Sequence, residues 1–293
     1  MRAIGLAIGL TSIKAARLQY GLTIFQLSQH LTMFRTLLAR LGRAALLGVL
    51  LASGSAQAAS CADHYLDGRA PEIRNPKLAT ATRELCYSEF SIMHSGVTRT
   101  PLWSAEHLSS SQLAAAKGRE RENAFHAEQQ LPRGQRAELS DYARSGFDRG
   151  HMAPNGNMPD RRAQLESFSL ANMVPQNRDQ HRGIWTPIEN EVRDMVRKEG
   201  ELYVVSGPAF LGSSLQKVGN VIVPSHLYKV VYSPRQKAAA AWFIENRSGA
   251  TIHEVPVAEL ERIIGIELLP ALTRQQKKRM LALPKIRQRK NRN

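Results

Sequence analysis

Between Ile184 and Lys198 the apolar residues fall in a single stripe: Ile184, Ile188, Val192, Met195 and Val196 lie at i, i+4, i+8, i+11 and i+12. That spacing gathers all five on one side of an α-helix, and Gly200 supplies a stop. Such a helix must lie on an apolar surface, and strand-like segments provide one. Leu85–His94 and Leu102–His107 precede it; Leu202–Ser206, Val221–Val223, His226–Tyr232 and Ala238–Ile244 follow, with Ser233–Gln236 as a hairpin turn. Ser110–Lys117 and Val257–Ile264 read as short helices, and Glu138–Arg144 as a helical turn. Segregated strands and helices predict an α+β fold, a central, mainly antiparallel sheet flanked by helices, rather than a doubly wound one. With no repeat and no Pro/Gly-rich boundary, residues 59–273 read as one domain.

The formal charge of +15 suggests a polyanion partner until it is mapped. Residues 1–58 hold six Lys/Arg and no acid, and residues 274–293 hold nine Lys/Arg and no acid. That leaves 40 − 6 − 9 = 25 basic residues against 25 acidic ones in between. A grip on nucleic acid must therefore come from local patches or from the basic tail, which reads as a solvated end or as an accessory polyanion contact.

The excess at the N-terminus has its own explanation. From Met33 to Cys61 a basic start, an apolar run over Ala44–Ala52 and Ala56-Gln57-Ala58 form a secretory signal cut after Ala58, with Met33 a possible true start. The alternatives are a long signal or an uncleaved anchor. The expectation is an exported protein, periplasmic or extracellular, without stable membrane association after cleavage. The two cysteines, Cys61 and Cys86, then form a disulfide, contributing about 3 kcal/mol in the chain-entropy model.

Chemistry concentrates in Gly146–Met158, GFDRGHMAPNGNM. A neutral histidine accepts a proton from water, and an arginine beside it pairs with two phosphate oxygens. Asp148, Arg149 and His151 thus suit attack on a phosphodiester. A second stretch, SFSLANMVPQN from Ser167, leads through Asn172, Gln176, Asn177, Asp179 and His181, read as a loop, into the amphipathic helix. Oxygen and imidazole groups there, with Glu189 on the helix, could hold a hydrated divalent ion. Glu189 and Arg193 sit four apart, so their side chains can meet.

Together the two segments resemble the DNA/RNA non-specific endonucleases of the ββα-metal (His-Me finger) superfamily, the Serratia-nuclease-like family. The resemblance runs from about Leu102 to Leu272 and includes TPLWSAEHL, LYVVSGPAF and VIVPSHLYKVVY. It implies a ββα-metal nuclease core and a metal-dependent hydrolase of DNA and RNA with one divalent ion, Mg²⁺ or Mn²⁺. It matches His151 to the general base, and Asp148 and Arg149 to groups that shape the site and bind phosphate. Glu189 matches the acid that holds the ion through water, and Arg193 the arginine that stabilises the phosphate. Arg121, with Arg119 as the rival, matches a further phosphate contact. One position departs from the pattern: His181 stands where the family has a metal-ligating asparagine. Imidazole suits Mn²⁺ better than Mg²⁺, so a shift toward Mn²⁺ is expected. The alternatives are a nucleic-acid-binding or uptake protein with little turnover, and a phosphodiesterase acting on small molecules.

Overall fold

The computed structural model describes residues 61–287. The expected targeting segment and residues 288–293 lie outside the described residues.

The strands, in chain order, are β1 (Glu72–Ile73), β2 (Thr82–Cys86), β3 (Ser91–Ser95), β4 (Thr100–Ser109), β5 (Asp148–His151), β6 (Met173–Gln176) and β7 (Glu201–Ala209). They continue as β8 (Lys217–Val218), β9 (Val221–Ile222), β10 (His226–Ser233), β11 (Ala238–Glu245), β12 (Ile252–Val255) and β13 (Ile266–Glu267). The helices are α1 (Ser110–Ala116), α2 (Leu139–Tyr142), α3 (Arg161–Ser167), α4 (Arg178–Gln180), α5 (Thr186–Glu199), α6 (Val257–Ile264) and α7 (Arg274–Lys278).

Seven strands form one sheet in the order β12-β11-β10-β7-β4-β3-β2, every pair antiparallel. The expected α+β architecture is therefore present. Side chains alternate between the faces of each strand. On β10, Leu227 and Val231 join the cluster beneath α5, whereas Tyr228, Val230 and Tyr232 join the opposite cluster with α6. The stripe on α5 explains its seat: Ile188, Val192 and Val196 are buried against Val204, Val231 and Trp242. Each such side chain contributes about 1.5–3 kcal/mol by leaving water.

Leu85–His94, read as strands or strand ends, spans parts of β2 and β3, paired in register from Thr82↔Ser95 to Cys86↔Ser91. Two readings of the sequence need correction. The stretch read as a loop from Asn172 to His181 is strand β6 and the start of a helix. The basic tail is folded through at least Leu281, which is 2% exposed and packs in the cluster under α5, with Leu283 and Ile286 against it. Lys277 is buried between Glu261 and Glu267, at 3.1 and 2.7 Å. Its nine cations had masked the apolar residues between them.

Cys61 and Cys86 are joined as a disulfide, with Cα atoms 5.4 Å apart. Among the described residues no helix is long and apolar enough to cross a membrane.

Candidate active site

Away from the large sheet, β5 and β6 pair antiparallel and α5 follows, giving a ββα unit. Alternation along β5 places Arg149 and His151 on one face and Asp148 and Gly150 on the other. Phe125 packs on the first face: the Arg149 guanidinium lies 4.0 Å over its ring, and the His151 ring is 5.8 Å from it. On the second face a side chain at position 150 has no room. A Cβ there would lie 1.9 Å from Gln176 Oε1, so the close approach of the strands requires glycine.

His151 is 6% exposed, edge-on to Phe168 at 5.1 Å, and its carbonyl accepts a hydrogen bond from Trp185 Nε1 at 3.3 Å. Its Nε2 is buried and has no hydrogen-bond partner among the described residues. Burial, then the nearby charges of Arg121, His181 and Arg149, push its pKa down to about 3. The imidazole is therefore neutral at physiological pH, and an unpaired Nε2 can accept a proton.

The helix that carries the remaining groups is interrupted in an informative way. Arg178–Gln180, a π-helical turn over His181–Trp185 and α5 run on without a break in αR geometry. Pro187 cannot donate a hydrogen bond back to residue 183, and its ring crowds that carbonyl. The wide turn absorbs the conflict and has a consequence for the site. On an uninterrupted α-helix, residues 181 and 189 would point about 80° apart. One wide turn between them removes most of that angle, so His181 and Glu189 share a face.

Asp148 joins the two parts. His181 Nδ1 lies 2.9 Å from Asp148 Oδ2, Arg182 bonds both carboxylate oxygens at 3.1 and 3.2 Å, and Arg178 Nε is 3.6 Å away. Burial works against the carboxylate's charge, but the hydrogen bonds from His181 and Arg182 prevail and hold its pKa below the ordinary value. An Asp148 carboxylate that accepts from Nδ1–H fixes the tautomer of His181 and leaves Nε2 free.

The other groups named from the sequence separate clearly. Arg121 lies 5.0 Å over the Phe168 ring and acts electrostatically on His151, while Glu189 acts on Arg121 in turn. Its rival Arg119 turns away to the Pro159 carbonyl, at 2.6 Å. Arg193 does not pair with Glu189 as expected. It donates to Asn157 Oδ1 at 3.1 Å and to Asn190 Oδ1 at 2.6 Å. Of the polar groups expected to surround an ion, Asn172 spends its amide on the backbone of Ala153 and Ser167, and Asn177 caps α4. Gln176 donates to Gln180 Oε1 at 2.6 Å, Asp179 accepts from Ser248 at 2.8 Å, and His181 lies against Asp148.

Sequence reasoning overlooked a buried polar floor. Glu106, Ser206 and Lys229 come from the adjacent strands β4, β7 and β10 and point to the α5 side, on the same alternation as Leu108, Val204 and Leu227. Glu106 is 1% exposed and accepts from Asn157 Nδ2 at 2.9 Å, so one amide links it to Arg193. Burial pushes Glu106 up to about 7, against the pull of Lys229. Lys229, also 1% exposed, donates to Ser206 Oγ at 2.5 Å and lies 4.8 Å over the Trp185 ring; burial lowers its pKa, against Glu189 and Glu106. The signal was present: a charged letter inside the apolar strands TPLWSAEHL and HLYKVVY.

The donor set fits a single divalent ion. Among the described residues no cluster of three or more His, Cys, Asp or Glu could cage a metal. An ion holding much of its water needs only one or two protein groups. His181, with Nδ1 against Asp148, has the chemistry for one of them.

The profile of the family described as DNA/RNA non-specific endonuclease matches residues 70–275. The chain is 34% identical over 212 residues to "Nuclease EXOG, mitochondrial" of Danio rerio, covering 65% of this chain and 62% of that protein. It is 33% identical over 218 residues to the Homo sapiens protein of the same name, covering 67% and 59%. The match thus spans about three fifths of the length of these relatives. The solved structure titled "Crystal structure of the EndoG/EndoGI complex: Mechanism of EndoG inhibition" superposes with a TM-score of 0.59 at 26% identity, covering 66% of this chain and 88% of that one. The expectation of a periplasmic or extracellular protein is corrected here: both relatives are named mitochondrial nucleases, so the similarity does not support export. The profile match covers well over half of the sequence and takes in both motif segments and the whole ββα unit, so this chain belongs to the DNA/RNA non-specific endonuclease family.

Proposed function

We propose that the protein is a metal-dependent endonuclease that hydrolyses phosphodiester bonds of DNA and RNA with little sequence preference. The observation that carries this reading is the buried, neutral His151 with an unpartnered Nε2, set beside Arg121, Arg149 and the His181–Asp148 pair.

In this reading His151 Nε2 takes a proton from water as the water oxygen bonds to phosphorus and the P–O3′ bond breaks. The departing oxygen collects a proton from solvent, leaving a 3′-hydroxyl and a 5′-phosphate. Arg121 and Arg149 bind the phosphate, and Arg193, steadied by Asn157, adds positive charge where negative charge builds in the transition state. His181 and Glu189 would hold one divalent ion, which would supply positive charge to neutralise the phosphate. The phosphate-facing groups read no base edges, which accounts for weak sequence preference. Because His181 is an imidazole oriented by a carboxylate, Mn²⁺ is favoured over Mg²⁺.

Digestion of plasmid DNA and of RNA with Mg²⁺, Mn²⁺ or EDTA tests this directly. Cutting of both polymers with a divalent ion and none in EDTA is expected. Binding without cutting under every ion would favour a nucleic-acid-binding protein on a nuclease scaffold. Cleavage of small model diesters but not of polymers would favour a small-molecule phosphodiesterase.

A further inference from the structure

We propose that the cleft beside Asp148 is a second phosphate subsite, taking the phosphodiester that flanks the scissile one in a bound strand. This rests on the nuclease reading above. The cleft encloses about 400 Å³ between α2 and β5, and its walls include Tyr142, Arg144, Phe147, Asp148, Arg149 and Arg178. Asp148 and Arg149 belong to it and to the catalytic strand alike, so a strand held at His151 continues into it.

The charge of the cleft is unbalanced. Its one carboxylate, Asp148, is already engaged by His181 and Arg182, and Arg178 approaches it only to 3.6 Å. Among the described residues neither Arg144 nor Arg149 has a carboxylate within ion-pair distance. Three arginines therefore line a cavity whose single acid is spent, and guanidinium forks match phosphate oxygens. Tyr142, in the wall, is 6% exposed and packs in the apolar cluster with Leu170, Met173 and Val218, which gives the cleft a firm side. Arg144 is also held at φ 54°, a left-handed conformation that costs a non-glycine residue about 1–2 kcal/mol.

What sets this cleft apart is its place on β5, the strand that carries His151. One of about 410 Å³ has Arg161 and Arg162 in its wall, each paired with a glutamate, Glu122 and Glu166. Another, of about 640 Å³, holds Arg74, Arg262, Arg274 and Lys277 against Glu261 and Glu267, but lies beside α6, on the opposite face of the sheet from α5.

The test measures binding in EDTA, so that cleavage does not intervene, of a thymidine dinucleotide and a thymidine octanucleotide. Arg144→Gln, and Arg144→Gln with Arg178→Gln, are compared with Arg262→Gln, which removes one charge on the far face. The inference expects severalfold weaker binding of the octanucleotide by Arg144→Gln, more by the double variant, and little change for the dinucleotide. The salt dependence of octanucleotide binding then falls by about one contact per arginine removed. Octanucleotide affinity and salt slope equal to those of Arg262→Gln would overturn it, as would an equal loss on the dinucleotide. Failure of the unaltered protein to cut any polymer would sink the nuclease reading while leaving this binding comparison intact.

Discussion

Asp148 and His181, 33 positions apart, meet through a 2.9 Å contact between Oδ2 and Nδ1. The contact ties the first strand of the ββα unit to the wide helical turn that follows the second, and it sets which imidazole nitrogen faces the site. His181→Asn, which installs the family's amide, is expected to lower the ratio of the Mn²⁺ rate to the Mg²⁺ rate severalfold. Asp148→Asn, which leaves His181 without its acceptor, is expected to weaken Mn²⁺ affinity about 10- to 100-fold, read by titration calorimetry. A ratio unchanged in His181→Asn removes this imidazole from the metal site.

Asn157 hangs Arg193 on the buried Glu106. Asn157→Ala frees the guanidinium and leaves Glu106 without its donor, so cleavage is expected to drop about tenfold or more in kcat with melting temperature lowered. Glu106→Gln keeps an oxygen acceptor for Asn157 and is expected to retain most activity. If Glu106→Gln loses as much as Asn157→Ala, the acid serves by its charge and not by holding the amide.

Much of the fold could be read from the letters, because a period survives without tertiary knowledge. The stripe on α5 is the clearest case, and the seat of Ile188, Val192 and Val196 follows from it. What could not be read depended on register or on competition between elements. Pro187 within the stripe gave the wide turn, which moved Ile184 out of α5 proper. The Asp148–His181 contact needed the pairing of β5 with β6. Glu189 and Arg193 stand at helical spacing, yet Asn157, from a distant loop, outcompeted the local partner. Glu106 and Lys229 were hidden because a strand buried on both faces lacks the alternation that flags an inward polar residue.

Gly150→Ala forces a Cβ against Gln176 and is expected to cost about 1–3 kcal/mol in urea unfolding. Gly134→Ala, where nothing lies within 4 Å, serves as the neutral comparison. Equal stability of the two variants would mean that β5 and β6 do not approach so closely.

The buried His151 also leaves a mark on stability. In the unfolded chain a histidine binds a proton below its ordinary value of 6.5, whereas in the fold His151 does so only near 3. Between those values the unfolded state holds the extra proton, so stability falls as pH falls, by about 1.4 kcal/mol per pH unit for this group. His94, lowered to about 4 by burial, adds a fall of the same sign. His151→Gln is expected to flatten the dependence of unfolding free energy on pH between 6.5 and 4 by its own share, with His94, the other shifted histidines and Glu106 contributing as before. An unchanged slope would show that His151 titrates as an exposed residue.

Single-turnover cleavage by His151→Ala, measured beside strand binding in EDTA, bears most directly on the central claim. The account expects the cleavage rate to fall by about 100- to 10,000-fold with affinity for the strand essentially unchanged. Cleavage at the rate of the unaltered protein would contradict it, because the proton would then leave water by another route.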